Sequence, residues 1–291
     1  MKIHDLVQGS LPWLQWRREG ITASEIAAIM EQSPYMTPEM LFYEKSGSVS
    51  EDLGKDNFAM ARGREMEPVI RDWFNAKDEF HQYVPYCVSH DEITWARASL
   101  DGFCLTDNSL IEIKLNGSAN HNLAISGELP IYHMLQVQWQ LFITGARSAF
   151  YLSCPWSREI DKTIIIRVMP DFKIQNESLK KAREFYDALQ AKRPPPSNVP
   201  QNVSLLLTEY EKLSLEKSII EQKMDLMKIT LRQLIPKDKT ISYGSVTAAW
   251  RSRIGNVDYG KIPVLSGIDL NEFRKPSTEY LDLRVKGGDD D

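Results

Sequence analysis

The sequence has little cysteine and no long apolar run. Its three cysteines are odd in number and widely spaced, a pattern that indicates reduced thiols and neither a zinc ribbon nor a four-cysteine iron–sulfur site. No stretch approaches the roughly 18–20 consecutive apolar residues that cross a bilayer, so we expect no membrane partner. The opening residues MKIHDLVQGS lack the apolar core of a signal peptide, and we therefore expect a cytoplasmic protein.

The sequence also lacks an excess of positive charge. Its 35 Lys and Arg residues against 40 Asp and Glu residues give a net charge of −5, which on its face argues against a nucleic-acid partner. The objection is weak, because binding depends on local patches and not on the sum of charges. Two basic clusters exist, Arg17–Arg18 and Arg62 with Arg64. Each is either a solvated helix face or a phosphate contact.

The apolar content is sufficient for a sizeable core. Apolar residues make up 42% of the 291 residues, which suits one large domain with an extension or two modest domains. The segment RPPPSNVP (193–200) breaks regular structure and indicates a boundary. We therefore predict a core over 1–193, a proline-rich linker over 194–200, an extension over 201–286 and a disordered tail over 287–291.

Periodicity and capping residues predict an α/β order of elements. Helices are predicted over 10–30, 57–75, 130–145, 171–192 and 203–235, and strands over 81–89, 93–105, 110–115, 148–154 and 162–168. Thr22 or Ser24 is the expected N-cap in the first helix, and Pro68 predicts a kink or a later start in the second. Residues 239–262 predict a hairpin that turns near Gly255–Asn256. The helix over 203–235 packs either against a partner helix or on the main body.

Charged residues gather in the segment SLDGFCLTDNSLIEIKL (99–115). Because a strand alternates its faces, Glu112 and Lys114 point to one side of the strand LIEIKL. A turn at TDNS (106–109) that pairs Leu105 with Leu110 would put Asp101 and Glu112 diagonally on one face, roughly 7–8 Å apart. Carboxylates at that spacing share a hard divalent cation, and a lysine beside them holds a water. The alternative is a solvated hairpin face with an ion pair.

Four sequence pieces, in order, resemble the lambda exonuclease and YqaJ-type phage recombinase nucleases of the PD-(D/E)xK superfamily. They are Trp13, Arg17 and ITASE (21–25); Gly63 to Glu67; Ser99–Gly102 with Glu112–Lys114; and Gln136 with Gln138. The last pair lies on a helix where His133, Gln136 and Gln140 form a polar stripe. The resemblance covers roughly residues 10–170. Leu100 stands where the superfamily name puts proline, and His133 stands where a phenol is expected.

The resemblance implies a PD-(D/E)xK restriction-endonuclease-like core, in which helices flank a mixed central sheet, followed by a helical and β-hairpin extension. It implies that Asp101, Glu112 and the backbone carbonyl of Ile113 bind Mg²⁺, for which Mn²⁺ can substitute. Lys114 would orient the attacking water and help to deprotonate it, Glu67 would complete the site and Gln136 would line it. Arg17, Thr22 and Ser24 would hold the terminal 5′ phosphate of the digested strand.

The activity implied by the resemblance is 5′-to-3′ digestion of linear double-stranded DNA. The expected products are 5′-mononucleotides and 3′ single strands for annealing recombination. The expected partners are DNA ends, a phage single-strand annealing protein and two further copies of the chain in a homotrimer. The alternatives are an endonuclease or nickase on the same fold and a DNA-binding scaffold without catalysis.

Overall fold

The computed structural model describes residues 1–47, 58–78, 80–196, 199–243 and 246–250. The chain divides into two compact units between Leu213 and Ser214, within a helix. The domain boundary at 194–200 stays a prediction. The tail at 287–291, and the extension beyond residue 250, lie outside the described residues.

The first unit contains the strands and helices that position the site. Its strands are β1 (Lys2–His4), β2 (Ile21–Thr22), β3 (Val84–Ser89), β4 (Ala96–Cys104), β5 (Ser109–Asn116), β6 (Ser148–Pro155) and β7 (Ile164–Val168). Its helices are α1 (Leu11–Arg18), α2 (Ile26–Ile29), α3 (Pro38–Ser46), α4 (Phe58–Asn75), α5 (Ser118–Ile125), α6 (Ile131–Thr144) and α7 (Phe172–Gln190), with 3-10 helices at Ala23–Glu25 and Ile160–Lys162. Helix α8 (Gln201–Leu234) crosses the boundary, and the hairpin of β8 (Thr240–Tyr243) and β9 (Val246–Ala249) belongs to the second unit.

Within the described residues, the strands of the first unit form one mixed sheet. The order is β1-β3-β4-β5-β6-β7, and β2 pairs with β4 as a branch. The β5–β6 and β2–β4 pairs are parallel, and the other pairs are antiparallel. The parallel β5–β6 pair needs a crossover, which α5 and α6 supply.

Helices cover both faces of this sheet. One face packs on α2, α3, α6 and α7 through a large apolar cluster that includes Leu110 and Trp139. The other face packs on α4 through a smaller cluster that includes Met66, Ile70 and Ile111. Leu110 and Ile111 belong to opposite clusters because successive side chains of a strand alternate. The predicted mixed α/β sheet flanked by helices is confirmed.

Most predicted elements are confirmed with shifted ends, and the exceptions have local causes. The helix entered through ITASE (21–25) is confirmed as the 3-10 helix followed by α2, but the residues before it form α1 and β2, in which Ile21 and Thr22 pair with β4. Thr22 does act as an N-cap, but of the 3-10 helix, through a capping box with Glu25. Pro68 lies inside an uninterrupted α4. Helices α3 and α5 and strand β1 were not predicted.

The predicted register of the β4–β5 hairpin is wrong by two residues. Phe103 pairs with Leu110, and Cys104 pairs with Ser109, so the loop is 105–108 and not 106–109. Asn108 adopts φ 51°, a left-handed conformation that asparagine tolerates better than most residues. In the second unit, β8 and β9 pair with Tyr243 opposite Val246, so this hairpin turns well before Gly255–Asn256, which lie outside the described residues.

No helix in the described part of the chain is both long enough and apolar enough to cross a membrane.

Gly102 lies where β4 approaches its neighbours too closely for a side chain. A Cβ atom there would lie 2.8 Å from Cγ1 of Ile111 and 2.8 Å from Cβ of Tyr83, both in the packed face under α4. We expect Gly102→Ala to lower the free energy of unfolding by about 1–3 kcal/mol, the usual cost of overpacking. Urea denaturation measures this change.

Gly63 provides the matched control for this prediction. It lies inside α4, and a Cβ there would meet no atom within 4 Å. Gly63→Ala should therefore raise the free energy of unfolding by about 0.5–1 kcal/mol. If Gly102→Ala were as stable as the wild type, the close packing of β4 against Ile111 would be wrong.

Candidate active site

Strand β4 has two different partners along one of its edges. β5 pairs with it only as far as Gly102, opposite Ile111, and β2 pairs with it at Ala96 and Arg97. Because β3 occupies the opposite edge, both partners lie on the same side of β4. Between them, no described strand pairs with residues 98–101 on this side. We call this opening, between residues 98–101 of β4 and 112–116 of β5, the β4–β5 gap.

Asp101 is held at the narrow end of the gap. Its Oδ2 accepts a hydrogen bond of 2.7 Å from the backbone N–H of Ile113, and its backbone carbonyl accepts one of 2.8 Å from Arg71. The β3–β4 ladder shifts here: Tyr86 pairs with Leu100, but Val84 pairs with Phe103. β4 therefore carries one extra residue, and a bulge of this kind redirects a side chain.

Glu112 is buried on β5, with 1% of its surface exposed. Its Oε1 accepts hydrogen bonds from Gln136 (2.7 Å) and Lys114 (2.6 Å), and its Oε2 accepts one from Gln140 (2.6 Å). A carboxylate has about four acceptor positions, so one remains after these three donors. The two glutamines come from α6, on the face of the sheet opposite α4.

Glu67 reaches the same region from α4 on the other face. Burial raises the pKa of Glu67, and the charge of Glu112 raises it further. Burial likewise holds the pKa of Asp101 well above its usual range, and the charges of Glu112 and Glu67 add to the effect. The three carboxyl groups therefore repel one another.

Lys114 is the ammonium group among these carboxylates. Burial alone would lower its pKa, but the charges of Glu112 and Asp101 outweigh burial and raise the pKa above its ordinary value. Lys114 is thus a firmly protonated cation. In this group of four side chains, three carboxyl groups face one ammonium.

The donor set fits a hard divalent cation. Among the described residues, no group of three or more His, Cys, Asp and Glu side chains stands ready to hold one metal ion. Asp101 and Glu112 nevertheless offer two carboxylates with free acceptor positions and an unbalanced negative charge. Mg²⁺ is usually bound by one or two carboxylates and keeps its other positions for water and substrate phosphate.

A buried polar network lies beside Lys114 on the α6 side of the sheet. The Tyr151 hydroxyl lies 2.7 Å from Nδ1 of His133 and accepts a hydrogen bond of 2.9 Å from Asn116. Burial, and then the charge of Lys114, lower the pKa of His133 to about 2. His133 is therefore neutral at any ordinary pH and acts as a fixed hydrogen-bonding group.

Arg17, Thr22 and Ser24 come together at the wide end of the gap. Nη2 of Arg17 lies 3.1 Å from Oγ of Ser24 and 3.5 Å from Oγ1 of Thr22, and the two hydroxyls lie 3.3 Å apart. One guanidinium and two hydroxyls at this spacing suit an anion such as a phosphate.

This cluster is connected to the strand that carries Asp101. The Arg17 guanidinium stacks on the ring of Trp13 at 4.7 Å, and the Trp13 indole donates a hydrogen bond of 2.9 Å to Oγ of Ser99. Ser99 precedes Asp101 by two residues, a distance of about 7 Å along a strand. The cluster of Arg17, Thr22 and Ser24 and the carboxylates therefore border the same gap.

The buried Lys45 of α3 fixes the segment that carries the cluster. Its ammonium pairs with Glu25 at 3.0 Å and donates hydrogen bonds to the carbonyls of Arg17 (3.0 Å) and Gly20 (2.7 Å). A buried ammonium needs such partners, because an unpaired charge inside a protein is costly. Lys45 therefore holds the end of α1 and the end of the 3-10 helix together.

The structure brings the predicted residues into two groups. Glu67, Asp101, Glu112, Lys114 and Gln136 form one group, with Ile113 bonded to Asp101 through its N–H; Arg17, Thr22 and Ser24 form the other. Gln138 belongs to neither group. It accepts hydrogen bonds from the N–H of Asp171 and from Gln175, and so anchors the start of α7.

Sequence reasoning did not assign site roles to Gln140, Ser99, Tyr151 or Lys45. Gln140 had a signal, the polar stripe with His133 and Gln136, and only the resemblance favoured Gln136 over it. Ser99 had a weak signal in the segment Ser99–Gly102. Lys45 and Tyr151 had none, because each depends on contacts between residues far apart in the chain.

Comparison with known proteins shows which family part of the chain resembles. Residues 12–147 match the YqaJ-like viral recombinase domain, a range that holds both groups of site residues. The chain is also similar to an uncharacterized protein (R354) of Acanthamoeba polyphaga mimivirus, 26% identical over 166 residues, or 53% of this chain. The matched part is only 30% of the length of that relative.

Among solved structures, the chain is similar to an alkaline exonuclease of Laribacter hongkongensis. The TM-score is 0.54 and the identity 22%, over 72% of this chain and 99% of the exonuclease. The complex of the same exonuclease with dAMP matches equally well. The chain therefore shares the fold of this exonuclease, in agreement with the mixed central sheet flanked by helices that was expected from the sequence.

The repulsion among the carboxylates predicts a stabilising metal ion. We expect MgCl₂ to raise the melting temperature of the wild type by several degrees, since ligand at 100 times its Kd contributes about 2.7 kcal/mol. Asp101→Asn should remove this shift, while its amide oxygen still accepts the Ile113 N–H. In EDTA, the variant should melt above the wild type, because one of three repelling charges is gone.

Differential scanning calorimetry with EDTA or MgCl₂ measures both effects, and Asp161→Asn is the control for loss of a surface carboxylate. An unchanged Mg²⁺ response in Asp101→Asn would place the cation elsewhere.

Proposed function

We propose that the protein is a metal-dependent 5′-to-3′ exonuclease that acts on linear double-stranded DNA. It releases 5′-mononucleotides and leaves 3′ single strands for annealing recombination of the phage type. The observation that carries this proposal is the shared gap. A cluster suited to a terminal phosphate lies beside Ser99, about 7 Å along β4 from the carboxylate Asp101.

The comparisons support the proposal in a general way. The family model that matches residues 12–147 describes a viral recombinase domain, and the similar solved structure is that of an alkaline exonuclease. That enzyme was solved with dAMP, a deoxynucleoside monophosphate like the products proposed here.

In this proposal, Asp101, Glu112 and the carbonyl of Ile113 hold Mg²⁺, and Mn²⁺ can replace it. When bound there, the cation would supply a water of lowered pKa and would neutralise charge on the phosphate and on the leaving 3′ oxygen. Gln136 and Gln140 keep the Glu112 carboxylate in one orientation from the α6 side.

Lys114 positions the attacking water as a hydrogen-bond donor. Its raised pKa makes it a poor base as long as the carboxylates around it are uncompensated. Neutralising those carboxylates removes the cause of the raised pKa, and only then does Lys114 become able to help deprotonate the water. Glu67, half-buried on α4, is the third carboxyl group of the site and lies on the face of the sheet opposite Gln136.

At the other end of the gap, Arg17, Thr22 and Ser24 hold the 5′ phosphate of the strand being digested. A fixed terminal phosphate sets which phosphodiester bond reaches the carboxylates. This arrangement favours cleavage from an end over cleavage within a duplex. The predicted partners, an annealing protein and two more copies of the chain in a homotrimer, remain proposals.

Two alternatives share the same residues. An endonuclease or nickase would use the carboxylates without needing a free end, and a DNA-binding scaffold would not cleave at all. Three donors orient the buried carboxylate of Glu112. This arrangement argues against a DNA-binding scaffold without catalysis, since binding DNA does not require a buried carboxylate.

The proposed activity is tested with linear and closed circular forms of one plasmid. The wild type with Mg²⁺ should degrade the linear form to mononucleotides, leave the circle intact and do nothing in EDTA. Lys114→Ala should lose at least ~100-fold in rate, the lower range for a positioned proton-transfer group. Lys162→Ala, a surface lysine paired with Glu159, is the matched control. Nicking or linearisation of the circle would favour the endonuclease, and full activity of Lys114→Ala would remove this active site.

The phosphate-binding role is tested with duplexes that differ only at the 5′ end. Arg17→Ala should lower the ratio of rates on phosphorylated and hydroxyl ends roughly 10- to 100-fold, since a charge-assisted hydrogen bond contributes about 1.5–3 kcal/mol. The ratio is measured under single-turnover conditions. Arg18→Ala removes the same charge from the neighbouring position and should leave the ratio unchanged. If both variants keep the wild-type ratio, Arg17 does not read the phosphate.

A further inference from the structure

A second arginine–tryptophan pair lies on the other side of the carboxylates. The Arg62 guanidinium stacks over the ring of Trp156 at 4.5 Å and donates a hydrogen bond of 2.9 Å to the Trp156 carbonyl. Arg158, two residues on, pairs with Glu65 of α4 at 2.6 Å. We call these four residues the Trp156 cluster.

The position of the cluster follows from the strand register. Ser153 of β6 lies opposite Lys114, and Trp156 comes three residues later, about 10 Å along the strand direction. On α4, Arg62 precedes Glu67 by five residues, about 7.5 Å along the helix axis. The Trp156 cluster therefore lies on the β6 side of β5, the strand that borders the gap.

The two arginine–tryptophan pairs bracket the carboxylates. Arg17 and Trp13 lie on the β4 side of the gap, and Arg62 and Trp156 lie on the β6 side. Guanidinium groups bind phosphates, and an aromatic ring accepts the stacking of a base or sugar. A DNA strand that is fixed at Arg17 and passes the carboxylates reaches the second pair next.

The turn that carries Arg158 is held in an uncommon conformation. Arg158 has φ 66°, in the left-handed region, and its N–H donates to the carbonyl of Pro155. This conformation costs a residue with a side chain roughly 1–2 kcal/mol, and such strain often persists at functional sites. The turn directs Arg158 toward α4, where Glu65 meets it.

We propose that the Trp156 cluster is a second nucleic-acid contact, in which Arg158 binds a DNA phosphate and exchanges it for Glu65. The inference rests on the proposed function, since it assumes that DNA occupies the gap. Glu65 is 63% exposed and Arg158 35% exposed. An ion pair between such exposed groups is weak, so a phosphate can displace the carboxylate. In the absence of DNA, Glu65 keeps Arg158 in place.

A purely structural role predicts a different response. If the cluster only fastened the turn to α4, loss of either partner of the Arg158–Glu65 pair would have the same effect. If Glu65 competes with DNA, the two losses act in opposite directions. Removing Arg158 weakens DNA binding, and neutralising Glu65 strengthens it.

The chain offers a matched control at the opposite end of β6. Arg147 immediately precedes β6 and pairs with Asp107 at 3.3 Å, just as Arg158 follows β6 and pairs with Glu65. Arg147→Ala removes the same charge from the far end of the same strand. Arg158→Ala retains a Cβ, so the left-handed strain of the turn is unchanged.

The test measures the anisotropy of a fluorescein-labelled linear duplex, bound by the full chain in EDTA to prevent cleavage, over a range of salt concentrations. Arg158→Ala should raise the Kd about 5-fold and reduce the salt slope by about one, as expected for one lost phosphate contact. Glu65→Gln should lower the Kd about 3-fold, and Arg147→Ala should leave it unchanged. Thermal melts verify that each variant folds. If Arg158→Ala does not fold, the affinity of Glu65→Gln alone decides the question.

Two outcomes overturn the inference. One is an Arg158→Ala variant that binds like Arg147→Ala, and the other is a Glu65→Gln variant that binds no better than the wild type. If the wild type neither binds nor degrades DNA, the proposed function itself fails. Where the inference holds, a duplex with a 3′ overhang locates the contact. If Arg158→Ala loses more affinity for this duplex than for a blunt one, Arg158 contacts the unpaired strand. If the two losses of affinity are equal, Arg158 contacts the duplex backbone.

Discussion

The hydrogen bond from the Ile113 N–H to Oδ2 of Asp101 closes the β4–β5 ladder where the two strands separate. A backbone donor at the point of separation would otherwise lose its partner, which is costly inside a protein. The carboxylate satisfies this donor and is itself oriented by it. The bulge in β4 and the absence of a side chain at Gly102 allow the approach. The position of Asp101, and with it the narrow end of the gap, follows from this single contact.

Charge is the second constraint on the site. Three carboxyl groups face one ammonium, and the two faces of the sheet contribute differently to holding them. From α6, Gln136 and Gln140 approach Glu112 as neutral amide donors. From α4, Glu67 adds negative charge. The amides fix an orientation without cancelling the charge, so the electrostatic imbalance that attracts a cation is preserved.

The sequence allowed prediction of what depends on local pattern. Alternating and helical periodicity located β5 and α6, and the spacing of Asp101, Glu112 and Lys114 indicated a joint site. The hairpin register escaped prediction, because it depends on a left-handed Asn108 that shifts the loop by one residue. Lys45 also escaped, since its partners, Glu25 and two backbone carbonyls, become neighbours only after α3 packs. Gln140 lies on the polar stripe that the sequence indicates, but the stripe alone does not show which of its glutamines donates to the Glu112 carboxylate.

The separation of β4 from β5 has a consequence for solubility. Exposed strand edges invite pairing with other chains and lead to aggregation. Here the open edge is in the middle of a sheet and spans only residues 98–101, with β2 at one end and β5 at the other. A foreign strand would have to fit between these two neighbours, and a stretch so short supports few ladder hydrogen bonds. The gap thus gives access to the carboxylates, while its short open edge is a poor template for pairing with another chain.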